Sequence, residues 1–251
     1  MRNYLIYILV LTALLACNKS VTHQENESIS ESIAETNGFE ALFDGKTSKG
    51  WRGINSDNFP ENGWHIENGN LIVKATDGAE SGNGGDIISI EKFADFELQW
   101  EWKLFTKGGN SGVKYYVEER DLANAKHGIG LEYQILDDKN HEWMLNGQMT
   151  PCDYHTLGSL YEIYPASCDK EPKALGEWNS SKIISKGGDV EHWLNDKLIL
   201  TYNRFNKDFK VKVSESKFKD YSNFGQIAEG HILIQDHGSV IHYRNILIKR
   251  Y

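Results

Sequence analysis

The chain has 251 residues, 39% hydrophobic and 25% charged, with a formal net charge of −9 at pH 7. That length supports one sizeable domain, or two small ones, with a real core. The acidic balance, without any basic stripe, argues against nucleic acid or an anionic membrane surface as a partner, because phosphate binding needs a basic footprint.

The N-terminus reads as a targeting segment. Arg2 gives a positive start, and Tyr4 to Ala16 is an apolar run too short to span a bilayer comfortably. It ends in Leu14-Leu15-Ala16-Cys17, which resembles the bacterial lipobox, where a small residue admits the peptidase and the cysteine sulfur takes the lipid. The expectation is a signal peptide over 1–16 and an exported protein that begins at lipidated Cys17. It would be anchored to the outer membrane, periplasmic or cell-surface. A plain secretory signal with an incidental cysteine is the alternative. Residues 17–37 are Ser-, Glu- and Thr-rich without aromatics, and read as a flexible tether. Residues 38–251 read as a single domain.

Twenty-three glycines against four prolines, with 12% aromatics, suit a turn-rich β protein. Phe39 to Phe43 reads as a strand running into the Asp44-Gly45 turn. Trp64 to Glu67 and Leu71 to Lys74 flank Asn68-Gly69-Asn70, a hairpin signal. Thr76 to Asp86 is a Gly/Asn/Asp loop, and Ile87 to Ile90 a short strand. Phe96 to Leu104 alternates strictly and predicts a strand with one buried face. Gly108 to Gly112 is a turn leading into Val113 to Val117. Gly130 to Ile135 alternates again before an acidic loop. Further strands are predicted over Ser159 to Tyr164, Asn179 to Ser185, Asp189 to Leu194, Lys197 to Tyr202, His231 to Gln235 and Val240 to Lys249. One helix is predicted around Asp208 to Phe218. Many evenly spaced strands, no βαβ rhythm and no repeat predict an all-β, two-sheet antiparallel sandwich.

With Cys17 lipidated, Cys152 and Cys168 remain. In an oxidising compartment a disulfide is the expectation, worth roughly 3 kcal/mol in the chain-entropy model, against two buried thiols as the alternative. No Cys-x-x-Cys or His-Glu-x-x-His suggests zinc.

The polar faces of the strands carry the candidate chemistry. They present Glu97, Gln99, Glu101 and Lys103; Lys114 and Tyr116; Glu132 and Gln134; Gln235 with His237; and Arg244. If those strands are neighbours in one sheet, they make a wet surface of acids, amides and cations suited to a polyhydroxylated ligand. His192 is a candidate cleft histidine or a satisfied sheet residue. Trp178 reads as fixing the start of a strand, with Glu177 beside it. Asp137, Asp138 and His141 could supply hard ligands to a divalent metal, or be loop structure. Asp236 reads as holding the Asp236-His237-Gly238 turn.

Several blocks resemble the 3-keto-disaccharide hydrolase domain family. They are Leu42-Phe43-Asp44-Gly45-Lys46 with Gly50-Trp51; Asp95-Phe96-Glu97-Leu98; Gly109-Asn110-Ser111-Gly112-Val113-Lys114; Glu132-Tyr133-Gln134-Ile135-Leu136-Asp137-Asp138; Gly158-Ser159-Leu160-Tyr161; Gly176-Glu177-Trp178-Asn179; His192-Trp193-Leu194-Asn195; and Gln235-Asp236-His237-Gly238 with Tyr243-Arg244-Asn245-Ile246. They stand in family order. The resemblance implies a concanavalin-like jelly roll with its site on the concave sheet, and cleavage of sugars already oxidised at C3, downstream of a sugar 3-dehydrogenase. The Glu142 to Thr156 loop, with Trp143-Met144, Cys152 and His155, departs from the family pattern.

The chemistry follows from the ketone. A 3-keto group acidifies the hydrogen on C2; a base removes it to give an enolate, and the glycosidic oxygen on C1 then leaves by elimination. Later addition of water makes the net reaction a hydrolysis. Such a site needs a base near C2, a cation or donor near O3 and an acid near the leaving oxygen. The expected assignments are Glu132 or His237 as base, Lys114 or Arg244 for the enolate, and Glu101 or His192 for the leaving group. Gln134, Gln235, Arg244, Asn110, Trp178 and Glu177 are expected to bind substrate. No cofactor is required by the sequence, although a divalent metal could take the cation's place. The alternative is a non-catalytic, lectin-like carbohydrate-binding lipoprotein on the same fold.

Overall fold

The computed structural model describes residues 37–76, 84–119 and 128–251. The expected signal segment, Cys17, all but the last residue of the tether and the middle of the 76–86 loop lie outside these residues. The chain divides into two units, Met1–Ala41 and Leu42–Tyr251. The described part of the first holds only a two-residue strand, β1 (Glu40–Ala41); the second carries the remaining strands.

Twelve strands build it: β2 (Trp51–Gly53), β3 (Trp64–Glu67), β4 (Asn70–Val73), β5 (Ile87–Phe93), β6 (Phe96–Leu104), β7 (Asn110–Glu118), β8 (Ile129–Leu136), β9 (Asn179–Lys186), β10 (Asp189–Leu194), β11 (Lys197–Asn203), β12 (Gly230–Ile234) and β13 (Ile241–Arg250). They form two antiparallel sheets, ordered β11-β10-β9-β6-β13-β4-β3 and β2-β5-β12-β7-β8. The fold is the expected all-β jelly-roll sandwich.

Strand alternation decides what lies between the sheets. On β6, Phe96, Leu98, Trp100, Trp102 and Leu104 are buried while Glu97, Gln99, Glu101 and Lys103 face outward. On β8, Leu131, Tyr133 and Ile135 enter the same core. Trp100 and Tyr133 meet edge-to-face across the sandwich at 5.1 Å, and Phe96 meets Tyr115 at 6.2 Å. Such pairs add about 0.5–1.5 kcal/mol beyond the area they bury.

Departures from the predicted elements have local causes. Ser159 to Tyr164 is not a strand but a series of turns, with Leu160 bridging to Tyr133 and to Tyr164. Backbone bonds from Gly158 N to Gln134 O (2.8 Å) and from Tyr161 N to Glu132 O (3.1 Å) lay it along the open edge of β8. Asn110 to Gly112, predicted as turn, begins β7. Tyr116 does not face outward with Lys114: a bulge at φ 51° turns its ring inward, where the hydroxyl meets Ala94 O and Ser185 Oγ. The predicted helix is α2 (Lys207–Glu215), capped by Asn206 Oδ1 accepting from Phe209 N at 2.7 Å. A short helix, α1 (Glu142–Leu145), was not anticipated. Cys152 and Cys168 are joined as a disulfide with Cα atoms 5.0 Å apart.

Candidate functional site

The outer face of the five-stranded sheet carries a cavity of about 470 Å³. Its floor is built by the neighbouring strands β7 and β8, with Gln235 just beyond the end of the adjoining β12. Lys114 and Glu132 are direct cross-strand partners, and Gly112 lies opposite Gln134. Because Val113, Tyr115, Leu131 and Tyr133 are locked in the core, strand parity forces Lys114, Glu132 and Gln134 onto the other face. Lys114 Nζ stands 3.7 Å from Glu132 Oε2, with side chains only 10% and 8% exposed. The Gln134 amide donates to Glu132 Oε1 (3.1 Å) and to Ser111 O (3.1 Å). Gln235, Asn110 and His237 complete the polar part of the lining.

The turn that carries His237 is held from behind. Asp236 Oδ1 accepts from Gly238 N (3.0 Å), its Oδ2 accepts from Gly85 N (3.3 Å), and its own N–H donates to Asp86 Oδ1 (2.9 Å). Burial lifts the Asp236 carboxyl above its ordinary range, against those donors. Ser239 Oγ accepts from Asn110 N at 3.0 Å, tying this turn to the start of β7.

Loops supply the walls. The 138–157 segment brings His141, Glu142, Trp143 and His155; the turns after Gly158 bring Tyr161; the segment beyond α2 brings Lys217, Phe218 and Tyr221. Apart from Glu142, Trp143 and His155, which were noted only as part of a divergent loop, and His141, considered only as a metal ligand, sequence reasoning gave these residues no role. No local signal places Lys217 to Tyr221 over a sheet they do not join.

The remaining candidates are not brought to this cavity. Glu101 and Arg244 lie opposite each other on β6 and β13, in the other sheet. There Arg244 Nε donates to Glu101 Oε2 at 2.5 Å, and the guanidinium lies 3.9 Å from the Trp178 ring centroid. Glu177 is exposed and accepts from Ala174 N at 3.1 Å. The two polar rows expected to share one sheet thus face outward from opposite sides of the sandwich. Alternation fixes which face of its own strand a residue takes, but not which sheet the strand joins.

His192 is fully buried. Its Nε2 pairs with Tyr115 Oη at 2.7 Å, its Nδ1 with Gly158 O at 2.8 Å, and Tyr115 Oη also bonds Tyr202 Oη. It is a satisfied core histidine, and burial depresses its pKa to about 4. The folded value lies below the unfolded one, so the stabilisation is complete above pH 6.5 and is lost as pH falls toward 4. The loss is about 3 kcal/mol. The urea midpoint of the wild type should therefore drop more steeply between pH 7 and 4 than that of His192→Gln. Parallel pH curves would refute this.

The three possible metal ligands also diverge. Asp137 Oδ2 accepts from Gly108 N (2.9 Å) and Asn140 Nδ2 (2.8 Å). Asp138 accepts from Leu157 N (2.8 Å) and pairs with Lys170 Nζ at 3.3 Å. Burial raises the Asp138 carboxyl, and Lys170 opposes that. His141 caps α1 and lines the cavity, its pKa lowered chiefly by burial. Among the described residues no three His, Cys, Asp or Glu side chains cluster at ligand spacing. A larger cavity of about 890 Å³ lies beyond this loop, but its Asp138 and Lys170 are committed to each other.

Residues 38–249 match the family described as the 3-keto-alpha-glucoside-1,2-lyase-like domain. The chain is 34% identical to a 3-keto-disaccharide hydrolase of Bacteroides thetaiotaomicron, covering 92% of this chain and 84% of that one. Among solved structures it resembles a protein from Parabacteroides distasonis ATCC 8503 proposed to be a glycosyl hydrolase, with a TM-score of 0.73 and 29% identity over 86% of this chain and 95% of the other. A second such structure from that organism shares the fold at a TM-score of 0.56 and 24% identity, over 80% and 99% of the chains.

Proposed function

Because the chain belongs to the 3-keto-alpha-glucoside-1,2-lyase-like domain family, we propose that it is a carbohydrate-cleaving enzyme that breaks the glycosidic bond of sugars oxidised at C3. The observation that carries this reading is the Lys114–Glu132 pair, 3.7 Å apart and nearly buried at the floor of the cavity. Elimination next to a ketone needs a base and a cation a few ångströms apart, the one at C2 and the other at the enolate oxygen. Glu132 takes the C2 proton. Lys114 steadies the charge that moves onto O3, in a setting where a fixed charge outperforms water. His237, at the cavity wall, protonates the departing oxygen in place of Glu101 and His192, which lie elsewhere. Gln134, Gln235 and Asn110 orient the hydroxyls. The product is an unsaturated keto sugar, to which water adds.

On this reading the substrate comes from an enzyme that oxidises the C3 hydroxyl. Cys17 carries the lipid that tethers the protein at the outer membrane, with residues up to 37 as spacer. The test is a product assay of the full chain on 3-keto-glucosides of both anomers and on their unoxidised parents, read by NMR and mass spectrometry, with and without chelator. Cleavage of the keto forms alone is expected. Cleavage of plain glycosides would replace the mechanism with that of a conventional glycosidase. Binding without cleavage would leave a lectin-like module.

A further inference from the structure

The cavity has two chemically different halves. The floor is polar, whereas the loop wall is made of rings set at steep angles: Trp143 meets His155 at 5.3 Å and 83°, and His155 meets Tyr161 at 5.2 Å and 66°. Rings meeting edge-to-face enclose a slot rather than offering one flat platform. Trp143 is 40% exposed, a large apolar surface kept open beside the cavity.

Two of the wall's polar side chains, His155 and Lys217, already have protein partners. His155 Nδ1 lies 2.6 Å from Asp153 Oδ1 and its Nε2 3.3 Å from Glu162 Oε1, so both ring nitrogens are engaged. Lys217 Nζ sits 3.7 Å from the same Glu162 oxygen and 4.2 Å from the Tyr161 ring centroid. Against these rings a second sugar would surrender water from several hydroxyls and find His155 and Lys217 already paired, which is costly. A flat, apolar group would surrender little.

The wall is also preformed. The Cys152–Cys168 disulfide ties the loop that carries Trp143 and His155 to a position 16 residues further along the chain. Asp138 grips Leu157 N and Lys170, while Lys170 Nζ donates to Thr156 Oγ1 at 2.9 Å. A rigid slot binds without an ordering cost. Its cavity, about 470 Å³, lies in the range that houses ligands larger than one sugar ring.

We propose that the wall formed by Trp143, His155 and Tyr161 is a leaving-group subsite for a planar aromatic aglycone, so that the substrates are aryl glycosides oxidised at C3. This rests on the reading of the floor as the place where the sugar ring is cleaved.

The experiment compares Trp143→Ala with the wild type, full chain in both cases. Intrinsic reactivity of the leaving group cancels in a ratio of ratios. The kcat/KM for phenyl over methyl 3-keto-glucoside should fall about tenfold in the variant, mostly through KM. An unchanged ratio would overturn the subsite. So would an equal fall for a 3-keto-disaccharide, which would give the slot to a second sugar. A second readout needs no turnover: unoxidised phenyl glucoside should quench tryptophan fluorescence at concentrations at least about tenfold below methyl glucoside, and Trp143→Ala should abolish that preference. If no keto-glycoside is cleaved but the preference holds, the proposed reaction fails and the aryl slot stands. Equal binding of both glucosides refutes the slot.

Discussion

Glu132→Gln is expected to lower turnover of 3-keto-glycosides by about 10²–10⁴, the range general-base catalysis supplies. The substitution keeps the side chain's shape and an oxygen for the Gln134 amide, which bonds Glu132 Oε1 at 3.1 Å. What it removes is the proton acceptor and the negative charge beside Lys114. Losing a buried counter-charge also costs stability, so two further variants separate chemistry from folding. In Lys114→Met/Glu132→Gln the unmatched cation is gone, and the melting temperature should recover while activity does not. In His237→Gln the base remains, so exchange of the C2 hydrogen with deuterated solvent should persist while bond cleavage slows. Exchange that survives in Glu132→Gln would remove Glu132 from the base role.

Much of this site could be read before the fold was known, for a definite reason. Lys114, Glu132 and Gln134 stand on alternating strands and Gln235 directly continues one, so parity separates them from Val113, Tyr133 and Ile234, which are buried in the core. Parity is local and survives in the sequence. Sheet membership is not local. Glu101 and Arg244 obey the same alternation on β6 and β13, yet hydrogen-bonded order places those strands in the opposite sheet. His192 likewise follows alternation, but onto the inner face, where Tyr115 and Gly158 satisfy it. The walls were least legible, since His155, Tyr161 and Lys217 are assembled by turns and loops whose path follows from long-range contacts.

Gly112 shows how far the site depends on a residue with no side chain, and it supports a second large effect. A Cβ there would stand 2.6 Å from Glu132 Oε1 and 3.0 Å from Gln235 Oε1. Its backbone torsion is ordinary for a strand, so alanine brings no torsional strain of its own. The atoms in its way are the far ends of two flexible side chains, which can swing aside cheaply. Gly112→Ala should therefore fold with a melting temperature near the wild type's, yet hold Glu132 about 1 Å from its working position. A misplacement of that size costs about 10² in rate. The measurement pairs thermal melts with kcat/KM on a 3-keto-glucoside. Full activity in a folded Gly112→Ala would mean that the carboxylate has room to spare, and that its present position beside Lys114 is not what the reaction requires. Gly158 offers the contrasting case. It sits at φ +74°, and a Cβ would come within 2.2 Å of Ile199 Cδ1 in the core. Alanine there should lower stability first, with activity following only as the fold is lost. Opposite orders of loss at the two glycines would separate a residue that clears space for the reacting carboxylate from one that lets the chain turn.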